Sequence, residues 1–212
     1  MNIIVDRFEK IKSNIKHNTA KIIAVSKTYT LDYIKPLIDH GHVHFGENKV
    51  QEADSKWSVF KNKNKNIQLH MIGKLQSNKA KKAVELFDYI HSVDNEKLAL
   101  TLSKCEKAIN RKLKYFIQVN VGMENQKSGI PINQLDQFYN YCLKEINLDV
   151  IGLMAIPPND ADVEKHFKYL YETNLSFGLE ELSMGMSADY MCAVKYKSTF
   201  VRIGSAIFGK RD

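Results

Sequence analysis

A lysine that stands where a buried strand gives way to a loop can carry covalent chemistry. Desolvation lowers its pKa, and an unprotonated amine condenses with an aldehyde. Lys27 has that place: it closes the apolar run Ile22-Ile23-Ala24-Val25-Ser26 and precedes Thr28. Far along the chain, Ser183-Met184-Gly185-Met186-Ser187 and Val201-Arg202-Ile203-Gly204-Ser205 form two small-residue turns. Their backbone N–H groups and the Ser187 and Ser205 hydroxyls are of the kind that grip a phosphate, and glycine permits close backbone approach. Arg202 lies between them in sequence. A guanidinium has five donors and no acceptor, so a pyridine nitrogen facing it must be unprotonated. An amine for an aldehyde and a cradle for an anion together suggest pyridoxal 5′-phosphate (PLP), held as a Schiff base on Lys27, with Arg202 either meeting the ring nitrogen or turned outward to pair with a carboxylate. A ring whose nitrogen meets arginine rather than a carboxylate is a weak electron sink, which favours binding or mild proton exchange over strong catalysis.

These residues need elements to bring them together, and the hydrophobic periodicity supplies them. Ile4, Phe8, Ile11 and Ile15 recur at helical spacing before a first strand at 22–26. Leu31, Ile34, Leu37 and Ile38 restore helical spacing until Gly41. The alternation continues with strands at 43–45, 67–72, 89–93, 115–121, 150–154, 181–184 and 200–203. Helices are expected between them at 50–60, 78–87, after Asp94 and Asn95 as caps, after Pro131, at 160–175 and at 187–195, with a stub at 205–208. Eight alternating units predict an α/β fold, a single (β/α)8 TIM barrel with an extra N-terminal helix; a doubly wound open sheet is the alternative. Residues 1–212 are expected to form one domain. In a barrel, active sites gather at the C-terminal strand ends, with phosphate often held after strands seven and eight. Lys27, Glu47, Asn48, Ser187, Gly204 and Ser205 all fall at such ends.

Composition narrows the classes. The net charge of +7 and pI near 9.1 owe much to Lys61, Lys63 and Lys65, alternating with asparagines, and to Lys74, Lys79, Lys81 and Lys82. The first group lacks interleaved aromatics and reads as a solvated loop, not a nucleic-acid platform. Cys105, Cys142 and Cys192 are odd in number and widely spaced, as in a reduced, cytoplasmic protein. No apolar stretch approaches the roughly 20 residues of a membrane span, and Asp6 and Glu9 replace the basic start of a leader. His40, His42 and His44 alternate as metal ligands could, although Gly41 interrupts them and loop or core roles are the simpler expectation. Glu124, Lys127 and Gly129 form a polar loop, either solvated or at the site rim. Met184, Met186 and Met191 read as packing, with Met186 also counted in the phosphate turn.

The residues carry a resemblance. Ala24-Val25-Ser26-Lys27-Thr28, Phe45-Gly46-Glu47-Asn48 with Gln51-Glu52, His70 through Ile72-Gly73 to Leu75-Gln76 and Asn78-Lys79, Gly152-Leu153-Met154, Leu182 to Ser187 with Asp189, and Val201-Arg202-Ile203-Gly204 with Ile207-Phe208-Gly209 resemble the pyridoxal phosphate homeostasis protein family. The matches run in order from about residue 22 to 209. The resemblance implies a barrel similar to the N-terminal domain of alanine racemase and a monomer. It also implies Lys27 as the imine lysine, Arg202 facing the pyridine nitrogen, Asn48 against the ring and phosphate near Met186, Ser187, Gly204 and Ser205. There are departures. Lys197 stands before Ser198-Thr199 where the family usually has glycine, Ser205 replaces a frequent threonine, and Lys49 and Met71 occupy variable or commonly aromatic positions.

A racemase needs a second acid–base group opposite its lysine. In the two-domain racemases the resemblance implies that a further domain supplies it, and with Asp212 closing this sequence no such domain is expected. The reading is therefore a PLP carrier or buffer in vitamin B6 homeostasis with little or no catalysis, possible recipients being PLP-dependent apoenzymes. A slow amino-acid racemase is the alternative, and an RNA-binding basic protein is the non-enzyme rival.

Overall fold

The computed structural model describes residues 2–124, 128–158 and 162–209. Asn2 accepts the Ile4 N–H and starts α1 (Ile3–Asn14), whose buried stripe Ile4, Phe8 and Ile11 packs it against its neighbours. Eight strands follow: β1 (Lys21–Val25), β2 (His44–Glu47), β3 (Gln68–Met71), β4 (Tyr89–Val93), β5 (Lys114–Gln118), β6 (Val150–Met154), β7 (Glu181–Met186) and β8 (Phe200–Ile203). The helices between them are α2 (Leu31–Asp39), α3 (Val50–Lys63), α4 (Ala80–Leu86), α5 (Glu96–Ile109), α6 (Leu135–Asn140), α7 (Val163–Ser176) and α8 (Tyr190–Lys195), with α9 (Ser205–Phe208) after β8. Thr30 caps α2 and Asn95 caps α5.

All strand pairs are parallel and run in chain order, and β8 returns to β1 with Ile23 opposite Arg202. The sheet is thus a closed (β/α)8 barrel, as the periodicity predicts, and the open doubly wound sheet is excluded. Strand alternation divides the core in two. Ile23, Tyr89, Phe116, Met154 and Phe200 fill the barrel's interior, while a larger shell including Trp57, Phe87, Leu102, Phe167 and Leu170 lies between sheet and helices.

Several boundaries differ from the sequence expectation. Strand β7 continues to Met186, and the following helix begins at Tyr190, not at Ser187. The cause is a bulge: Ser183 pairs with Phe200 but Met186 with Arg202, so β7 spends one residue more than β8. Gly185 makes this possible. It sits at φ +90°, and a Cβ there would lie 2.5 Å from that of Ala193. Asp189 then accepts the Met186 N–H at 2.6 Å, which holds 186–189 as a turn. After α6 the chain completes a π turn, Tyr141–Glu145, where a continuous helix was expected. The helix expected from 160 begins at Val163, and Asp160, like Lys127 of the polar loop, lies outside the described residues.

Lys61 is not part of a solvated loop. It lies on α3, donates to the Leu86 carbonyl at 2.8 Å and pairs with Asp88. No helix among the described residues is long and apolar enough to cross a membrane.

Candidate functional site: a cavity at the strand ends

Lys27 lies two residues beyond the end of β1, and its backbone is pinned on both sides. Before it, the Ser26 N–H donates to the Gly46 carbonyl at 3.0 Å and the Ser26 hydroxyl to Glu47 Oε1 at 2.7 Å. Lys56 Nζ joins them, donating to the Ser26 carbonyl at 2.7 Å and Glu47 Oε1 at 2.9 Å. After it, Thr28 occupies the left-handed region at φ +69°, and its N–H donates to Glu52 Oε1. Glu47 is fully buried and also accepts from Trp57 Nε1 at 2.9 Å. Its carboxylate serves this clamp, while neighbouring Asn48 lines the cavity. A Cβ on Gly73 would lie 2.4 Å from the Asn48 carbonyl oxygen, so only glycine lets the loop after β3 settle onto Asn48.

Arg202 comes from β8, the strand beside β1, and is 4% exposed. Nη1 donates to the Ser183 carbonyl at 2.8 Å and to Ser183 Oγ at 2.7 Å, and Nη2 to the Ala155 carbonyl at 2.8 Å. These partners are all neutral oxygens. Burial pulls the guanidinium down to about 10, opposed by the charge of Asp189, and it stays cationic at neutral pH. The three bonds use three of five donors.

The third wall is the pair of turns after β7 and β8. Ser187 Oγ accepts from the Gly204 and Ala206 N–H groups at 3.3 and 3.4 Å, which draws the two turns together. Gly204 is not demanded by packing, since an added Cβ would meet Val25 at an ordinary 3.5 Å.

These parts surround one cavity of about 330 Å³, within the range of small-ligand sites. Lys27, Asn48, Met186, Ser187, Arg202, Gly204 and Ser205, the seven residues singled out in the sequence, all line it, with Val25, Ile72, Ile156 and Ala188 as its apolar and small surfaces. Ser187 contributes from the bulged turn and not from a helix start. A larger cleft of about 420 Å³ lies over α3 and α4, but three of its cations are already paired, Lys61 and Arg111 with Asp88 and Lys82 with Asp54. Chemistry, not volume, selects the strand-end cavity.

A buried guanidinium with neutral partners and donors to spare suits a ring-nitrogen acceptor, and hydroxyls with adjacent backbone N–H groups suit a phosphate. The residues present therefore fit PLP. The alternating histidines serve elsewhere: His40 Nε2 meets Glu9 at 2.9 Å, His42 Nε2 the His44 carbonyl at 2.8 Å, and His44 Nδ1 meets His70 Nε2 at 3.0 Å. Among the described residues no group of three or more side chains is arranged for a metal ion.

The fold and the site define a closed parallel barrel with a lysine after the first strand and small-residue turns after the seventh and eighth around one strand-end cavity. The family model for the alanine racemase N-terminal domain matches residues 2–212. The chain belongs to that family and, within it, to the pyridoxal phosphate homeostasis proteins, being 38% identical to the Vibrio cholerae protein of that name over 95% of this chain and 97% of the relative. The Escherichia coli K12 protein of the same name is 37% identical over 90% of this chain and 86% of its own. The solved structure of PipY from Synechococcus elongatus with PLP bound superposes with a TM-score of 0.89 at 33% identity, covering 97% of this chain and 100% of that one. Alanine racemase from Clostridium difficile shares the fold at TM-score 0.73 and 15% identity, covering 97% of this chain and 57% of that one.

Proposed function

We propose that the protein binds PLP in the strand-end cavity and serves vitamin B6 homeostasis as a carrier or buffer with little or no catalysis. The observation that carries this reading is the meeting of Lys27, Arg202 and the Ser187–Gly204–Ser205 cradle in one cavity. The names of the relatives and the PLP bound in PipY support it. Bound PLP supplies a carbonyl carbon for an amine and a ring that draws electron density. In this chain Lys27 is the amine for that carbon. Arg202 donates to the ring nitrogen and, staying cationic at neutral pH, gives it no proton. Asn48 lies against the ring, and Met186, Ser187, Gly204 and Ser205 hold the phosphate. A carboxylate would keep the nitrogen protonated; the arginine keeps the electron sink weak.

Full-length protein titrated with PLP is expected to develop a visible absorbance band, and borohydride reduction is expected to fix the modification on the Lys27 peptide. In Lys27→Ala the band should vanish; its persistence, or a label mapped to another lysine, overturns the assignment. Incubation with L- and D-amino acids in deuterated water reads the catalytic clause: steady α-deuteration would favour slow racemisation. We further take the protein to be a cytoplasmic monomer that releases PLP to apoenzymes, which light scattering and transfer assays with an apoenzyme would test.

A further inference from the structure

A file of hydrogen bonds climbs through the inside of the barrel and ends on Arg202. His44 Nδ1 meets His70 Nε2 at 3.0 Å, His70 Nδ1 meets His91 Nε2 at 2.9 Å, and His91 Nδ1 meets Ser183 Oγ at 2.8 Å. Arg202 Nη1 closes the series on the same Ser183 oxygen at 2.7 Å. His70, His91 and Ser183 are fully buried, while His44, at the first position of β2, is half-buried at the opposite rim.

One end of this file has no freedom. A guanidinium only donates, so Ser183 Oγ accepts there and has its own proton to place. The ring nitrogen His91 Nδ1 is the acceptor at hand. With Nδ1 accepting the Ser183 O–H, His91 carries its one proton on Nε2 and donates to His70 Nδ1; His70 in turn donates from Nε2 to His44 Nδ1. Every link then has one donor and one acceptor, with all three rings neutral. Burial favours neutral rings, and the Arg202 charge opposes a proton on His91. The reverse order would aim both Arg202 and His91 N–H groups at Ser183 Oγ and leave its hydroxyl proton without an acceptor. Ring packing alone does not call for imidazole. His91 stacks on Phe116 at 4.2 Å and His70 on Tyr89 at 4.3 Å, contacts that a phenyl ring would also make.

We propose that Ser183, His91, His70 and His44 are positioning residues for Arg202, a one-way file of donors that fixes the Ser183 lone pair and thereby the guanidinium at the cavity floor. The functional half of this proposal rests on the reading of the cavity as a PLP site; the polarity of the file does not.

The two halves separate experimentally. Long-range 1H–15N spectra of the PLP-free, histidine-labelled full chain should show His44, His70 and His91 as neutral Nε2–H tautomers, with Ser183→Ala releasing His91 into a tautomer mixture. A proton on Nδ1 of His70 or His91 in the wild type, or an unchanged His91 in Ser183→Ala, overturns the file. In PLP titrations His91→Phe, which keeps the stack but cannot accept, should weaken binding about tenfold, the scale of one hydrogen bond. His91→Gln can accept from Ser183 and donate to His70, and should restore affinity to within about threefold. Equal affinity in wild type, His91→Phe and Ser183→Ala would overturn the positioning role, and Ser183→Ala decides it should His91→Phe not fold. Wild-type protein with the expected tautomers but no PLP band would instead sink the cofactor reading and leave the file standing.

Discussion

Thr28 holds a left-handed backbone, φ +69°, which costs a non-glycine residue on the order of 1–2 kcal/mol. The surrounding bonds offset that cost: Glu52 takes the Thr28 N–H and is paired with Lys56 at 3.4 Å, and Lys56 in turn ties Ser26 to Glu47. The result is a lysine whose backbone cannot drift from the rim. Glu52→Ala is therefore expected to lower PLP affinity about tenfold, since bonds to a charged acceptor are worth about 1.5–3 kcal/mol and part of that orients Lys27. Calorimetric titration with circular dichroism as the folding control reads it, and wild-type affinity would contradict the clamp. At this scale the sequence discloses residues whose own chemistry is unusual, such as Lys27 and Arg202. It does not disclose Glu52, Lys56, Ser183 or His91 in their supporting roles. Their functions depend on partners up to 92 positions apart, as for His91 and Ser183, and strand register sets those meetings.

The strands were legible because each is a short apolar run cut by glycine, asparagine or a helical period, and β8 matches its expected bounds of 200–203. The bulge in β7 was not. Gly185 signals a turn, but whether the pairing resumes after it depends on Ala193 and Asp189 packing against it from outside the strand. A second irregularity is instructive. Lys197 sits at φ +60° between α8 and β8 with its side chain in solvent. Its N–H donates to the Val194 carbonyl at 3.1 Å, a bond glycine would keep. Lys197→Gly should stabilise the protein by about 0.5–1 kcal/mol, the left-handed penalty less the extra chain entropy of glycine. That corresponds to a Tm rise of about 1–4 °C in a chain of this size. A fall in Tm would mean the lysine side chain contributes more than its backbone costs.

For the molecule as a whole, burying histidines ties stability to pH. Desolvation lowers His42 and His44 to about 4, and His70 and His91 are pushed well below their usual 6.5 by burial, with nearby charge adding to it. Below pH 6.5 the unfolded chain takes up protons that the folded chain refuses, so stability falls as pH drops through the window from about 6.5 to 4 and further beneath it. At about 1.4 kcal/mol per pKa unit, His42 alone withdraws roughly 3 kcal/mol by pH 4. Urea midpoints should decline steadily from pH 7 to 4.5; a level profile would show that these rings protonate without unfolding. The closing of β8 onto β1 has a consequence for biosynthesis. Lys27, just past β1, and Arg202 on β8 meet across adjoining staves of the barrel although nearly the whole described chain separates them, so a nascent polypeptide holds half of the cavity until its eighth strand has left the ribosome. Under the proposed function a bound vitamin would span that seam as a clasp, and saturating the protein with it should slow the first step by which the barrel springs open.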